Sequence, residues 1–249
     1  MKNILDFITT KFKTYDVFEL CGIPIKFNLS FPLIGLLVFL GSGNICLALA
    51  ALFSLAVSLL AHELGHCIMA KKFGFNTHDI TMTILGGCAS LDLHSKSLAP
   101  DEELKVAIAG PCVSFVLGIG SFICLVVLIC IGSIASLLST MLYPLTMFFA
   151  CMMWLNMVLG FFNLVPAFPM DGGRVLRAWL AKKKSRIAAT ETAIKVAKVI
   201  AYIFGGLAVV SVLCGNIGGI TLGLVAYFVW NAGEIELQNE QMATAYGRP

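Results

Sequence analysis

His62-Glu63-Leu64-Gly65-His66 is the stretch of the chain with the most chemistry in it. On an α-helix, residues i and i+4 lie one turn apart on one face, a spacing that lets two imidazoles reach a single metal ion. Glu63 stands beside them, placed to act on water at the metal rather than to ligate it. With four His and eight Glu in 249 residues, chance would supply this spacing only about 0.002 times. The competing reading is two histidines packed against neighbouring helices with Glu63 hydrogen-bonded between them. Three ionisable groups inside so apolar a helix need a stronger reason than packing.

A catalytic zinc site takes three protein ligands and keeps one position open. His78 and His94, in a polar connection, are two candidates for the third ligand, and Asp171 is the better one. Of the 14 Asp and Glu, Glu63 and Asp171 are the two within or against long apolar runs, where a carboxylate is costly and therefore a functional hypothesis. Pro166 and Pro169 free the backbone around Asp171 from helical pairing, and Gly172-Gly173 let it turn sharply. A broken helix is one way to bring a carboxylate to a buried site in a membrane. Asp171 could also cap a helix starting near Arg174, and the two roles are compatible.

The elements that must position these residues follow from composition. Hydrophobic residues make up 59% of the chain and charged ones 12%, about half the usual charged fraction, and mean hydropathy is +0.92. Such a chain is neither a soluble enzyme, nor disordered, nor a nucleic-acid binder. It reads as an all-α polytopic membrane protein with about six transmembrane helices, near 29–40, 45–73, 104–131, 143–164, 193–213 and 220–235. Between helices 2 and 3, Thr81–Leu85 and Cys88–Leu91 flank Gly86-Gly87 and predict a small membrane-associated β-hairpin. The whole, 1–249, reads as one membrane-embedded domain: an interfacial segment 1–28 with short β-prone pieces, a core 29–235 and a tail 236–249. Asp101-Glu102-Glu103 suits a helix start.

All 17 Lys and Arg fall in 2–26, 71–105, 174–198 and at Arg248, and the apolar connections carry none. By the positive-inside rule both termini are cytoplasmic, and Lys182-Lys183-Lys184-Ser185-Arg186 is an inside anchor, with an anionic-lipid site as the alternative. The nine cysteines include no CxxC pair, and Cys46, Cys67, Cys112, Cys124, Cys130, Cys151 and Cys214, in or beside apolar runs, read as small buried hydrophobes rather than a disulfide framework. The first long apolar run starts only near Phe31, so no cleavable signal peptide is expected.

Together with His62–His66, the stretch Asn163-Leu164-Val165-Pro166-Ala167-Phe168-Pro169-Met170-Asp171-Gly172-Gly173 resembles the site-2 protease family of intramembrane zinc metalloproteases, matching N-x-x-P-x-x-P-x-D-G at every fixed position. Leu85-Gly86-Gly87 and Ala109-Gly110-Pro111 are also similar to family features. The resemblance is to the compact form without CBS or PDZ regions. It implies one zinc ion held by His62, His66 and Asp171, Glu63 as general base, and Asn163 as a polar group near the reacting carbonyl. It further implies a substrate-binding edge at Gly86, Gly87 and Cys88. The expected function is hydrolysis of peptide bonds in or near transmembrane segments of a single-pass membrane-protein substrate, in the lipid bilayer of a bacterial or archaeal cell membrane. A regulatory membrane partner is compatible with this, and nucleic acid is not a partner. A zinc transporter or sensor using the same ligands, and a non-catalytic scaffold that shelters membrane partners, are the rival readings.

Overall fold

The computed structural model describes residues 12–84, 86–91, 98–134 and 136–245. The element order is β1 (Thr14–Leu20), β2 (Ile23–Asn28), α1 (Leu33–Ser42), α2 (Ile45–Lys72), β3 (Thr77–Thr83), β4 (Gly86–Leu91), α3 (Pro100–Gly132), α4 (Ser136–Asn163), α5 (Asp171–Ala181), α6 (Arg186–Leu213) and α7 (Gly218–Ala245). The chain divides into two compact units, the first formed by 2–92 with 109–161 and the second by 93–108 with 162–249.

Four helices, Ile45–Lys72, Pro100–Gly132, Leu137–Asn163 and Arg186–Leu213, are long and apolar enough to cross a membrane. A helix of 28 residues rises about 42 Å, more than the roughly 30 Å of bilayer hydrocarbon. Their outward faces carry Phe53, Val116, Ile119, Ile123, Phe161 and Val209, all exposed, a surface that lipid solvates and water does not. The chain is an integral membrane protein.

The expected count of six spans is not reproduced. Seven helices stand among the described residues, and α1, with ten residues, reaches only about 15 Å. In α7 the apolar stretch is confined to the first half, and Glu234, Glu236 and Glu240 occupy the second. The cysteine reading is also corrected. Only Cys67 of the described cysteines is buried, while Cys112, Cys124 and Cys130 lie exposed along α3, and none is disulfide-bonded.

In the first unit the predicted hairpin exists as β3–β4, but it is half of a larger sheet. The order is β1-β2-β3-β4, with β1–β2 and β3–β4 antiparallel and β2–β3 parallel. The β-prone lead-in therefore supplies two strands, and Lys26 joins them to β3 through Asp79 at 2.8 Å. One face of the sheet packs on α2: Ile23, Ile25, Ile80 and Met82 meet Leu59 and Cys67, with Phe31 closing the cluster. Ser54 and Ser58 of α2 and Asn156 of α4 are fully buried. Asn156 Nδ2 donates to Ser58 Oγ at 2.8 Å, and Ser54 Oγ donates to the Phe148 carbonyl at 3.0 Å. These bonds join α2 to α4 where the surroundings offer no competing water.

In the second unit α6 turns a column of small residues inward, Ala193, Ala197, Ala201 and Ala208. Ala197 and Ala201 pack with Val229 of α7 and with Ala167 and Met170 of the connection between α4 and α5. Ala193 and Ile194 pack with Ala232 and Phe168.

The acidic run stands in the first turn of α3, as expected, but not all of it faces water. Asp101 is exposed and pairs with Lys182 at 2.6 Å, but Glu103 is 1% exposed and Arg177, its partner, 3%. Glu63 and Asp171 are thus not the only carboxylates taken from water. The run of polar residues ahead of Glu103 hid its burial, because neighbours in sequence point to different sides of a helix.

Candidate metal centre

His62 and His66 are both buried on α2, one turn apart. Their Nε2 atoms face one another at 3.2 Å, with the rings edge to face. Tetrahedral zinc with bonds of about 2.0–2.1 Å holds two nitrogen ligands about 3.3–3.4 Å apart, so the pair is already spaced for one ion. His62 Nδ1 lies 2.9 Å from Ser114 Oγ. A histidine that ligates through Nε2 must carry its proton on Nδ1, and Ser114 accepts that proton's hydrogen bond, fixing both tautomer and ring.

The space for the rings comes from α3. A methyl at Gly110 would lie 2.2 Å from His66 Nε2 and 2.8 Å from His62 Nε2, so only glycine lets the α3 backbone pass the two nitrogens. Gly65, between the histidines, performs the reciprocal service. A Cβ there would meet Val113 at 2.9 Å and the Ala109 carbonyl at 3.0 Å. Ala109-Gly110-Pro111, singled out in sequence for resemblance alone, thus has a packing reason beside the two imidazoles.

Glu63 is half-buried and faces the sheet. A methyl at Gly87 would stand 2.8 Å from Glu63 Cγ and 3.3 Å from its Oε1. Gly87 pairs with Met82 and Cys88 with Thr81. Strand β4 ends the sheet order, so its outer edge has no strand partner among the described residues. Gly86 opens this strand, and its carbonyl accepts from Thr83 Oγ1 at 3.1 Å. The structure therefore brings together His62, Glu63, His66, Gly87 and, as an addition, Ser114. Ser114 was legible in principle, since it lies one turn beyond Gly110 on the same face of α3.

Asp171 and Asn163 belong to the second unit. Asp171 is buried and is the first residue of α5, with Met170 at the N-cap. The helix begins three residues earlier than the sequence suggested, so the carboxylate is in its first turn rather than capping it. Asn163 is half-buried and is the last residue of α4. The 164–170 connection is held tightly to α5: a methyl at Gly172 would approach the Val165 and Leu164 carbonyl oxygens at 2.3 and 2.4 Å. Of the other candidate ligands, His78 is exposed on β3, unlike the buried pair, and His94 lies outside the described residues. His62, His66 and Asp171 are all buried and each offers one ligand atom. Two imidazoles and a carboxylate are a donor set suited to catalytic zinc.

Comparison with known proteins agrees with this chemistry. The model of peptidase family M50 matches residues 50–140 and 130–207. A zinc metalloprotease of Methanocaldococcus jannaschii is 36% identical over 237 residues, 92% of this chain and 62% of the relative. Rip3 of Mycobacterium tuberculosis is 30% identical over 202 residues, 79% of this chain and 46% of the relative. The chain thus spans less than two thirds of the length of either relative. The solved structure of a site-2 protease from Methanocaldococcus jannaschii superimposes with a TM-score of 0.58 at 34% identity, covering 90% of this chain and 95% of that one.

Proposed function

The chain belongs to peptidase family M50, the site-2 protease family, and on that footing we propose that it is an intramembrane zinc metalloprotease. Its substrates are single-pass membrane proteins, cut in or near their transmembrane segments. The observation that carries the reading is the facing pair of His62 and His66 Nε2 atoms, 3.2 Å apart, with Glu63 between them in sequence and against the backbone of β4. His62, His66 and Asp171 hold the zinc. When bound, zinc supplies Lewis acidity, making water a competent nucleophile near neutral pH and polarising a carbonyl.

Glu63 accepts the proton from the attacking water and returns it to the departing amine nitrogen. The Asn163 side-chain amide donates a hydrogen bond to the developing oxyanion. Ser114 and Gly110 keep the imidazoles in register. A transmembrane substrate hides its carbonyls in helical hydrogen bonds and must unwind before it can be cut. The outer edge of β4 at Gly86, Gly87 and Cys88 takes the unwound segment as an added strand, through main-chain bonds that tolerate varied side chains. Both termini and the basic 182–186 turn face the cytoplasm.

Transport and scaffolding draw no support from the site, since both could use the same three ligands but neither needs Glu63, a base beside the metal that hydrolysis requires. The test is cleavage of a labelled single-pass peptide by the purified chain in liposomes. Fragments should appear, cease on chelation and return with added zinc. Cleavage indifferent to chelation would sink the metal reading, and zinc flux without fragments would favour transport.

A further inference from the structure

Arg177 lies on α5, six residues beyond Asp171, in the same unit. It is 3% exposed, and so long a cationic side chain is seldom buried without paired carboxylates. Its Nε donates to Glu103 Oε1 at 3.0 Å, and Nη2 reaches the same oxygen. Nη1 contacts Glu236 and, at 3.0 Å, Glu240, both on α7. Arg186, opening α6, closes the cluster through Glu240 at 2.8 Å, Glu103 at 3.3 Å and the Leu98 carbonyl at 3.1 Å. The guanidinium also lies 5.3 Å from the centre of the Phe168 ring, in the connection that leads into Asp171. Burial opposes the charge on Arg177, but the carboxylates outweigh it and hold its pKa above the ordinary arginine value.

This is a costly arrangement if its purpose is stability alone. Burying an ion cluster is on balance no more stabilising than apolar packing of the same volume, whereas its planar, many-bonded geometry fixes orientation. What it fixes is a short helix. With 11 residues, α5 has little stability of its own, and apart from Gly172-Gly173 packing on the backbone of 164–168 it depends on its neighbours. The cluster ties its middle to α3, α6 and α7 at once, and ties the connection preceding Asp171 through Phe168.

We propose that Arg177 is a positioning residue for the Asp171 carboxylate, setting through α5 the geometry in which that ligand meets the metal. The proposal rests on Asp171 being a zinc ligand. A ligand held loosely binds metal more weakly and in varied geometry, without any loss of the ligand atom itself.

The test uses the purified full chain in detergent with Arg177→Lys, Arg177→Met and Asp171→Ala. Zinc affinity is measured by chelator competition, and coordination by the visible absorption of the cobalt-substituted protein. Unfolding of the metal-free protein is followed in parallel. Both Arg177 variants should bind zinc roughly tenfold to a hundredfold more weakly, with a weakened or shifted cobalt spectrum and Lys milder than Met. The deficit should exceed that predicted from any change in metal-free stability. If Arg177→Met does not yield folded protein, Arg177→Lys, which keeps the charge, decides alone. Wild-type affinity and spectrum in a folded Arg177 variant, while Asp171→Ala loses metal, would overturn the positioning role. Wild-type affinity in Asp171→Ala would instead overturn the ligand assignment beneath it.

Discussion

Gly110 is the residue at which packing and metal binding coincide. A single methyl there would sit 2.2 Å from His66 Nε2, inside any permissible contact. Gly110→Ala should therefore displace one or both imidazoles and lower zinc affinity roughly tenfold or more, while α3, which tolerates alanine, stays helical. Full zinc occupancy in Gly110→Ala would show that the rings do not need this space. Ser114→Ala removes the acceptor at His62 Nδ1, and its zinc affinity should fall about 10–100-fold. Ser114→Thr, which keeps a hydroxyl, should recover most of it. Side chains that bear chemistry by type and spacing were readable in the sequence: two histidines and a glutamate within five residues of an apolar run point to a metal. Residues that act through a neighbour were not. Ser114 is an ordinary serine in an apolar run until α2 lies against it, and Glu103 looks like the third of three helix-start acids until Arg177 is packed on it.

At the scale of elements, long apolar helices announce themselves because the hydrocarbon thickness demands a minimum run. Their ends do not. Helix α4 starts at Ser136, seven residues before the predicted start, and carries Pro144 inside it. A proline that ends a helix in water is tolerated where neighbouring helices supply the missing contacts. The β3–β4 hairpin was legible from Gly86-Gly87 between two β-prone pieces. Its parallel partner β2 was not, since Ile25 and Ile80 meet across two intervening helices and no local pattern records such a pairing. The α2–α4 seam offers a prediction of its own. Asn156→Ala removes the bond to Ser58 within a buried interface and should destabilise the protein by about 0.6–2 kcal/mol, read as a shift in unfolding in detergent with zinc binding retained. An unchanged transition would mean the seam is energetically neutral. For substrates, main-chain capture at β4 predicts that helix-weakening residues near the cut speed cleavage, while their replacement by leucine slows it. Indifference to helix propensity would contradict capture of an unwound strand.

Across the whole molecule, the placement of charge is the basis of the proposed orientation. Lys182, Lys183 and Lys184 are exposed in the α5–α6 turn, whereas the α6–α7 turn around Gly215 has no charged residue. A cysteine at Lys183 should react with an impermeant maleimide only when the cytoplasmic face is open. One at Asn216, in a chain freed of its other cysteines, should react from outside. The reverse pattern would invert the topology. Composition alone identified a membrane protein. The buried Glu103–Arg177 pair, ringed by Arg186, Glu236 and Glu240, shows that not all of its few charges are spent on solubility or orientation.

In the proposed function Glu63 moves the proton while His62, His66 and Asp171 hold the metal. This division of roles is tested most directly by zinc content and cleavage of a single-pass substrate, measured together for wild type and Glu63→Gln. Glutamine keeps the shape and removes the base. About one zinc per chain is expected in both proteins, with no detectable fragment from Glu63→Gln. Unchanged cleavage by zinc-loaded Glu63→Gln would contradict this division of roles.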